Sequence, residues 1–322
     1  MSDLLESLNE EISKYGEKVY NAIFPCGYFY FINKMMGLRS NYISIINKNS
    51  IKDLDADFKV FSEAKIPGDH EWYWLVKSRC SALSCQPKAY WMAGVFTSAF
   101  RLGLQANSIC FRAGNGQVEP HPDSNMFNTV PFLCGEHSGN TFYQDSGGKP
   151  SQYWVDAPNK ADFYREDFQD KINKIFQRKK GTISESLYYS LGWLASARQS
   201  YDRAHRVVLY FTALESFLNV GKGLPISDTI SRFSSCIITD LSNNREKYYN
   251  KIKYLYKIRS KITHAGVREV EFNDLIAVED FINEVFRISL YLIDIEMPMQ
   301  EFHEHLRSST HGIDLSICSR FK

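Results

Sequence analysis

The chain has 322 residues, 44% hydrophobic and 23% charged, with a formal net charge of +1. That length accommodates one large or two ordinary domains with ample material for a core. The balanced charge excludes a protein that binds nucleic acid with its whole surface; such binding needs a local patch. Met1-Ser2-Asp3-Leu4-Leu5-Glu6 has neither a basic nor an apolar run and is not read as a signal peptide. No run of about 18 apolar residues appears, so no membrane partner is expected. Seven cysteines, an odd count over a long chain, point to reduced thiols and a cytoplasmic location.

Residues 3–24 carry Leu4, Leu5, Leu8, Ile12, Tyr15, Val19 and Ile23 at helical spacing. The pattern predicts an amphipathic helix stopped at Pro25-Cys26-Gly27. The aromatic run Tyr28–Ile32 reads as a short strand. Residues 40–66 show no clean period. Residues 70–112, rich in Trp, Tyr and Phe, read as buried without deciding between helix and strand. From 113 to 160 Gly, Asn, Ser, Pro and Asp dominate, with apolar islands at Val130–Leu133, Thr141–Tyr143 and Tyr153–Val155. Loops linking short strands are expected there, and a loop region this long is a candidate recognition surface.

From 159 the text turns helical. Asn159 caps a helix carrying Tyr164, Phe168, Ile172, Ile175 and Phe176, with Arg178-Lys179-Lys180 at its negative end and Gly181 as the stop. Thr182-Ile183-Ser184-Glu185 fits a capping box. Further helices are predicted over 184–200, 202–219 (broken by Gly221, Gly223 and Pro225), 227–240, from about Asn243 to the Arg259 region, and 272–296 (ended by Pro298). The expected fold is mainly α. An irregular α+β N-terminal domain of unassigned role covers 1–180, a helical bundle 181–298, and a polar tail 299–322.

The chemistry-bearing segment is Tyr256-Lys257-Ile258-Arg259-Ser260-Lys261-Ile262-Thr263-His264-Ala265-Gly266. Arginine is always charged and grips a phosphate through two donors, and histidine moves protons near neutral pH. Together Arg259 and His264 meet the needs of metal-free RNA cleavage, in which one group transfers a proton and another stabilises charge on the phosphate. Five residues span about 140° on an ideal helix. The pair therefore needs either a bend near Thr263–Gly266 or a second subunit. With Gly266 as the C′ residue, His264 falls in the last turn. Residues 245–261 hold seven basic residues against one acid, Glu246. Lys253, Lys257 and Lys261 recur every fourth residue, on one helix face that could track an RNA backbone; the alternative reading of that stripe is a solvated face. Arg198 and His205 form a second, coincidental pair at the join of two helices.

Three blocks in order extend this reading. Tyr210-Phe211-Thr212-Ala213-Leu214-Glu215-Ser216-Phe217-Leu218, Ile226-Ser227-Asp228-Thr229-Ile230-Ser231-Arg232-Phe233, and the segment from Tyr256 to His264 resemble the HEPN superfamily, most closely its ApeA-like members, over about 184–296. The resemblance implies a HEPN-like helical bundle and a metal-independent endoribonuclease without cofactors, leaving 2′,3′-cyclic phosphate and 5′-OH ends. It implies a homodimer with both Arg/His motifs facing a shared cleft, and a role in anti-phage defence or as a toxin. Carried over by position, Arg259 and His264 are catalytic, Ser260 is the polar residue after the arginine, and Glu215 orients Arg259. Ala265 stands where the family has glycine. The alternative is a non-catalytic HEPN-fold binding or dimerisation module, or a regulatory subunit, sensing a phage-derived or host trigger.

Other constellations read more blandly. Cys80, Cys85, Cys110, Cys134, His121 and His137 match no compact zinc pattern, so buried thiols are expected and no metal. His303, His305 and His311 read as a chance cluster, Gly114-x-Gly116 and Gly147-Gly148 as turns, and Trp72, Trp74, Tyr90 and Trp91 as core rather than a base-stacking surface.

Overall fold

The computed structural model describes residues 18–26, 29–31, 40–53, 71–81, 84–103, 132–135, 141–144, 153–155, 166–218, 225–239 and 242–311. In chain order these give β1 (Lys18–Pro25), β2 (Phe29–Phe31), β3 (Ile43–Asn47), a 3-10 turn (Lys48–Asp53), β4 (Trp72–Cys80), α1 (Cys85–Gly103), β5 (Phe132–Gly135), β6 (Thr141–Gln144) and β7 (Tyr153–Val155). Seven helices follow: α2 (Glu166–Gln177), α3 (Ile183–Gln199), α4 (Arg203–Leu218), α5 (Ile226–Ile238), α6 (Ser242–Ala265), α7 (Phe272–Leu292) and α8 (Met299–Thr310). The described chain is mainly α, with a small sheet at its N-terminal side.

That sheet is antiparallel, in the order β1-β4-β3, with Ile23 opposite Leu75 and Ile45 opposite Trp74. β4 is covered on both faces. Trp74 and Val76 join the main core, whereas Tyr73 and Leu75 pack with Ile46 and Ile51. This explains why no period was legible there: a strand buried on both sides reads as an unbroken apolar run. β1 corrects the expected helix over 3–24, because Lys18–Pro25 is a strand. The helical spacing of Val19 and Ile23 yields to pairing with β4, a tertiary override of a local pattern. Residues 3–17 of that expectation lie outside the described residues. The islands expected as strands are found as the antiparallel pair β5–β6 and as β7, which pairs in parallel with the aromatic strand β2; their connecting loops lie outside the described residues.

α1 lies between the sheet and the bundle. A Cβ on Gly192 of α3 would meet the Trp91 ring at 2.1 Å, and one on Gly94 would meet the Ala195 Cβ at 2.9 Å, so small residues set how closely α1 and α3 approach. Among the described residues, one core cluster takes in side chains from Phe24 in β1 to Leu306 in α8. The expected tail is also corrected over Met299–Thr310, which form α8 with Phe302 and Leu306 fully buried. Polar residues such as Gln300, Glu301 and Glu304 surround those two anchors and mask them in the text.

Two expected helix signals are rearranged. The left-handed residue after α2 is Arg178 (φ 52°), with Gly181 (φ 76°) three residues later. The Thr182 hydroxyl donates to the Lys179 carbonyl instead of capping α3, while the Glu185 carboxylate accepts from the Gly181 N–H at 2.7 Å. The expected cap Asn159 and Tyr164, and the breakers Gly221 and Gly223, lie outside the described residues.

Four elements meet at a buried ionic centre. Arg101 of α1 and Arg206 of α4 lie 3.2 and 3.4 Å from the two oxygens of Glu279 on α7, with the Arg198 Nε 3.9 Å away. Arg198 also donates to Asn283 Oδ1 at 2.6 Å, so the coincidental pair is resolved into a structural arginine and a histidine at the start of α4. Burial next to Glu279 pushes the Tyr210 phenol far above its ordinary range.

Candidate functional site

The site is built on α6 and the α4 helix beside it. Arg245, near the start of α6, donates to the Ser309 carbonyl at 2.7 Å and to the Thr239 carbonyl at 3.2 Å. It thereby closes the carbonyl ends of α8 and α5. Ile252, Leu255, Tyr256 and Ile262 bury the inner face of α6. The helix runs unbroken to Ala265, where Gly266 (φ 67°) turns the chain and the Val267 N–H returns to the Lys261 carbonyl at 3.4 Å. Gly266 thus takes the expected C′ position, and His264 lies in the last turn.

Arg259 faces α4. One terminal nitrogen lies 3.3 Å from both oxygens of Glu215, and the Tyr256 hydroxyl donates to Glu215 Oε1 at 2.8 Å. The Arg259 guanidinium also sits 5.4 Å from the centre of the Tyr256 ring. Partial burial and the hydrogen bond to Glu215 push the Tyr256 phenol up to about 12, so it stays a donor. Arg259 Nε is buried with no hydrogen-bond partner. Arginine carries five donors, and the Arg259 side chain keeps 19% of its surface exposed, so the contact with Glu215 does not use up the guanidinium.

His264 is exposed. At about 100° per residue, it shares the outer face of α6 with Lys253, Lys257, Ser260 and Lys261, not the face of Arg259. The structure therefore brings Glu215, Tyr256 and Arg259 together and leaves His264 with the basic stripe. α6 is continuous through Thr263 and the chain turns at Gly266. Lys257 and Lys261 are exposed. Lys253 donates to the Tyr249 hydroxyl at 2.8 Å, and that hydroxyl donates to Asp228 at 2.5 Å, which holds the Asp228 carboxyl below its usual range. Tyr201, Tyr254, Val267 and Phe272 expose apolar surface on these helices and their connections, and an ion pair between Asp202 and Arg268 ties the α3–α4 and α6–α7 connections together.

No family model, no curated protein and no solved structure matches the chain.

Tyr256 appears in the sequence only as part of a motif; its role as the bridge to Glu215 needed the α4–α6 contact. His303 packs 5.9 Å from the Phe233 ring, and its Nε2 lies 2.5 Å from the Leu218 carbonyl. His305 is 3.7 Å from Glu301. Among the described residues no group of three or more His, Cys, Asp or Glu gathers to hold a metal, and no helix is long and apolar enough to cross a membrane. Cys26, Cys80 and Cys236 are buried and Cys85 is half-buried, and none of the four is in a disulfide. Burial and the neighbouring Cys80 raise the Cys85 thiol. Trp72 and Trp74 are core, whereas Tyr90 and Trp91 are partly exposed. Cys110, His121, His137 and both glycine pairs lie outside the described residues, as does the side chain of Cys134.

Proposed function

We propose that the protein is a metal-independent endoribonuclease of HEPN type that acts as a homodimer. In the reaction, the 2′-oxygen loses its proton and attacks the adjacent phosphorus. The bond to the 5′-oxygen breaks, and that oxygen takes up a proton, leaving 2′,3′-cyclic phosphate and 5′-OH ends. Arg259 stabilises the charge on the phosphate and His264 transfers a proton. Glu215 and Tyr256 hold the guanidinium in place. Ser260 lies one turn before His264 on the same face, and Lys257 and Lys261 extend that face along the RNA backbone, with Lys253 steadied by Tyr249.

The observation that carries this reading is Arg259: oriented by Glu215 and Tyr256, yet with part of its side chain still exposed. A guanidinium fixed in this way is suited to grip a phosphate. The separation of Arg259 and His264 around α6 favours a cleft completed by a second copy, for which the exposed apolar side chains near the end of α6 offer a surface. A role in anti-phage defence or as a toxin follows from the same resemblance, with the trigger read by the N-terminal half.

A second reading draws on the same contact. The bond from Arg259 to Glu215 also fits a non-catalytic binding or dimerisation module in which the arginine only ties α6 to α4. Arg259→Lys and His264→Ala separate the two. Loss of RNA cleavage with the fold and dimer intact supports the enzyme, and RNA binding without cleavage in the wild type supports the module.

A further inference from the structure

Cys80 closes β4 and Cys85 opens α1. The residues just inside them are clamped together. The Ser84 N–H donates to the Ser81 carbonyl at 3.2 Å, the Ser81 N–H donates to Ser84 Oγ at 3.1 Å, and the two hydroxyls lie 2.8 Å apart. The Lys88 ammonium, in the first turn of α1, donates back to the Arg79 carbonyl at the end of β4. Across this clamp the Cys85 thiol is in hydrogen-bond contact with the Cys80 sulfur, and Ser78 Oγ lies 3.4 Å from Cys80 Sγ. Cysteines that point apart cannot be bridged without moving the backbone; these two sulfurs already meet.

The two thiols differ in access. Cys80 is 1% exposed, whereas Cys85 is half-buried. Cys85 is therefore the sulfur that a molecule in solution meets first, and Cys80 is reached through Cys85. Burial and the neighbouring Cys80 raise the Cys85 thiol, so the pair rests protonated and reacts slowly beside an activated thiol. An accessible cysteine next to a second, resolving one is the arrangement in which a mixed disulfide passes on to an internal bond.

We infer that Cys80 and Cys85 form a reversible dithiol–disulfide site that exchanges with small disulfides of the glutathione class. The deprotonated Cys85 sulfur attacks one sulfur of oxidised glutathione. That S–S bond breaks, and one glutathione leaves as a thiolate and takes up the proton. The Cys80 sulfur, losing its own proton, then attacks the Cys85 sulfur and expels the second glutathione, which takes up that proton. The cysteine pair is oxidised by two electrons, and the glutathione disulfide is reduced to two thiols. The new bond ties the end of the central strand β4 to the start of α1, the helix between sheet and bundle. The assignment is independent of RNA cleavage at α6.

The test is incubation of the folded full chain with oxidised glutathione, followed by alkylation, digestion and mass mapping of the cysteines. The wild type is expected to give a Cys80–Cys85 bond that dithiothreitol reverses. Cys80→Ser removes the resolving sulfur and is expected to accumulate a glutathione adduct on Cys85. Cys85→Ser is expected to leave the buried Cys80 unmodified. If either variant fails to fold, the mapping of the wild type decides alone. The assignment is overturned if the wild type forms no Cys80–Cys85 bond, if that bond forms only in urea, if Cys85 stops at the glutathione adduct or joins another cysteine, or if Cys80 in a folded Cys85→Ser variant takes up glutathione as fast as Cys85 does in Cys80→Ser.

Discussion

Arg259 and His264 stand on one unbroken helix and meet opposite surroundings: Arg259 is half-buried against Glu215, and His264 is exposed in the last turn. On the proposed mechanism, one copy of the chain holds the group that would grip the phosphate and the group that would move the proton on different faces of α6. Two copies joined near the end of α6 can bring one of each together, so activity is expected to follow the dimer. Dilution below the dimer dissociation constant should lower the specific cleavage rate. A concentration-independent rate from a monomer in sedimentation would contradict the shared cleft.

Glu215 is the hinge of the held half. Glu215→Ala leaves the Tyr256 hydroxyl and the Arg259 terminal nitrogen without their common acceptor. It is expected to destabilise the chain by about 1–3 kcal/mol in urea unfolding and to slow cleavage by about tenfold to a hundredfold through misplacement of Arg259. Tyr256→Phe keeps the ion pair and should cost about 1 kcal/mol. Equal effects from both variants on rate would show that Glu215 does not act through Arg259.

The centre around Glu279 fixes α1, α3, α4 and α7 to one another. Glu279→Gln keeps the volume but removes the carboxylate charge that Arg101, Arg198 and Arg206 share. A loss of about 3–5 kcal/mol is expected in chemical denaturation. A loss under about 1 kcal/mol would mean that the arginines are balanced elsewhere.

The approach of α1 to the bundle has its own test. Gly192→Ala places a methyl 2.1 Å from the Trp91 ring, and overpacking of this kind costs about 1–3 kcal/mol. Thermal unfolding should show one transition at lower temperature together with a changed tryptophan emission. An unchanged melting temperature would contradict the tight α1–α3 seam.

His303 gives the fold a pH dependence. Burial lowers its pKa below the ordinary histidine value, more than the contact with the Leu218 carbonyl raises it. The unfolded chain then binds the proton more readily than the folded one. Stability rises with pH across the window between the lowered folded value and the ordinary one near 6.5, and falls as the pH drops through that window. The urea midpoint of the wild type should decline more between pH 7 and pH 5 than that of His303→Gln. Parallel declines would assign the dependence to other groups.

What was legible in the sequence follows from where each element's partners lie. The helices from 166 to 292 announce themselves through apolar spacing and through Pro225, Gly266 and Pro298, because an amphipathic helix carries its own pattern. The Lys18–Pro25 strand does not, because its partner β4 lies some fifty residues on. α8 was hidden among polar residues, and the start of α3 used Thr182 and Glu185 differently from the expected box. Within the candidate site, Arg259, His264 and Ser260 were visible as a motif, and the pairing of Glu215 with Arg259 was anticipated from the resemblance. The Tyr256 bridge and the Glu279 centre each join residues from separate elements, so no local spacing encodes them.

The most direct test of the central claim is cleavage of RNA by the purified wild-type chain and by His264→Ala, each with and without EDTA, with end-group analysis of the products. The account predicts EDTA-resistant cleavage by the wild type, giving 2′,3′-cyclic phosphate and 5′-OH ends, and its loss in a folded, dimeric His264→Ala variant. Equal cleavage by both proteins, or strict dependence on a divalent metal, would contradict it.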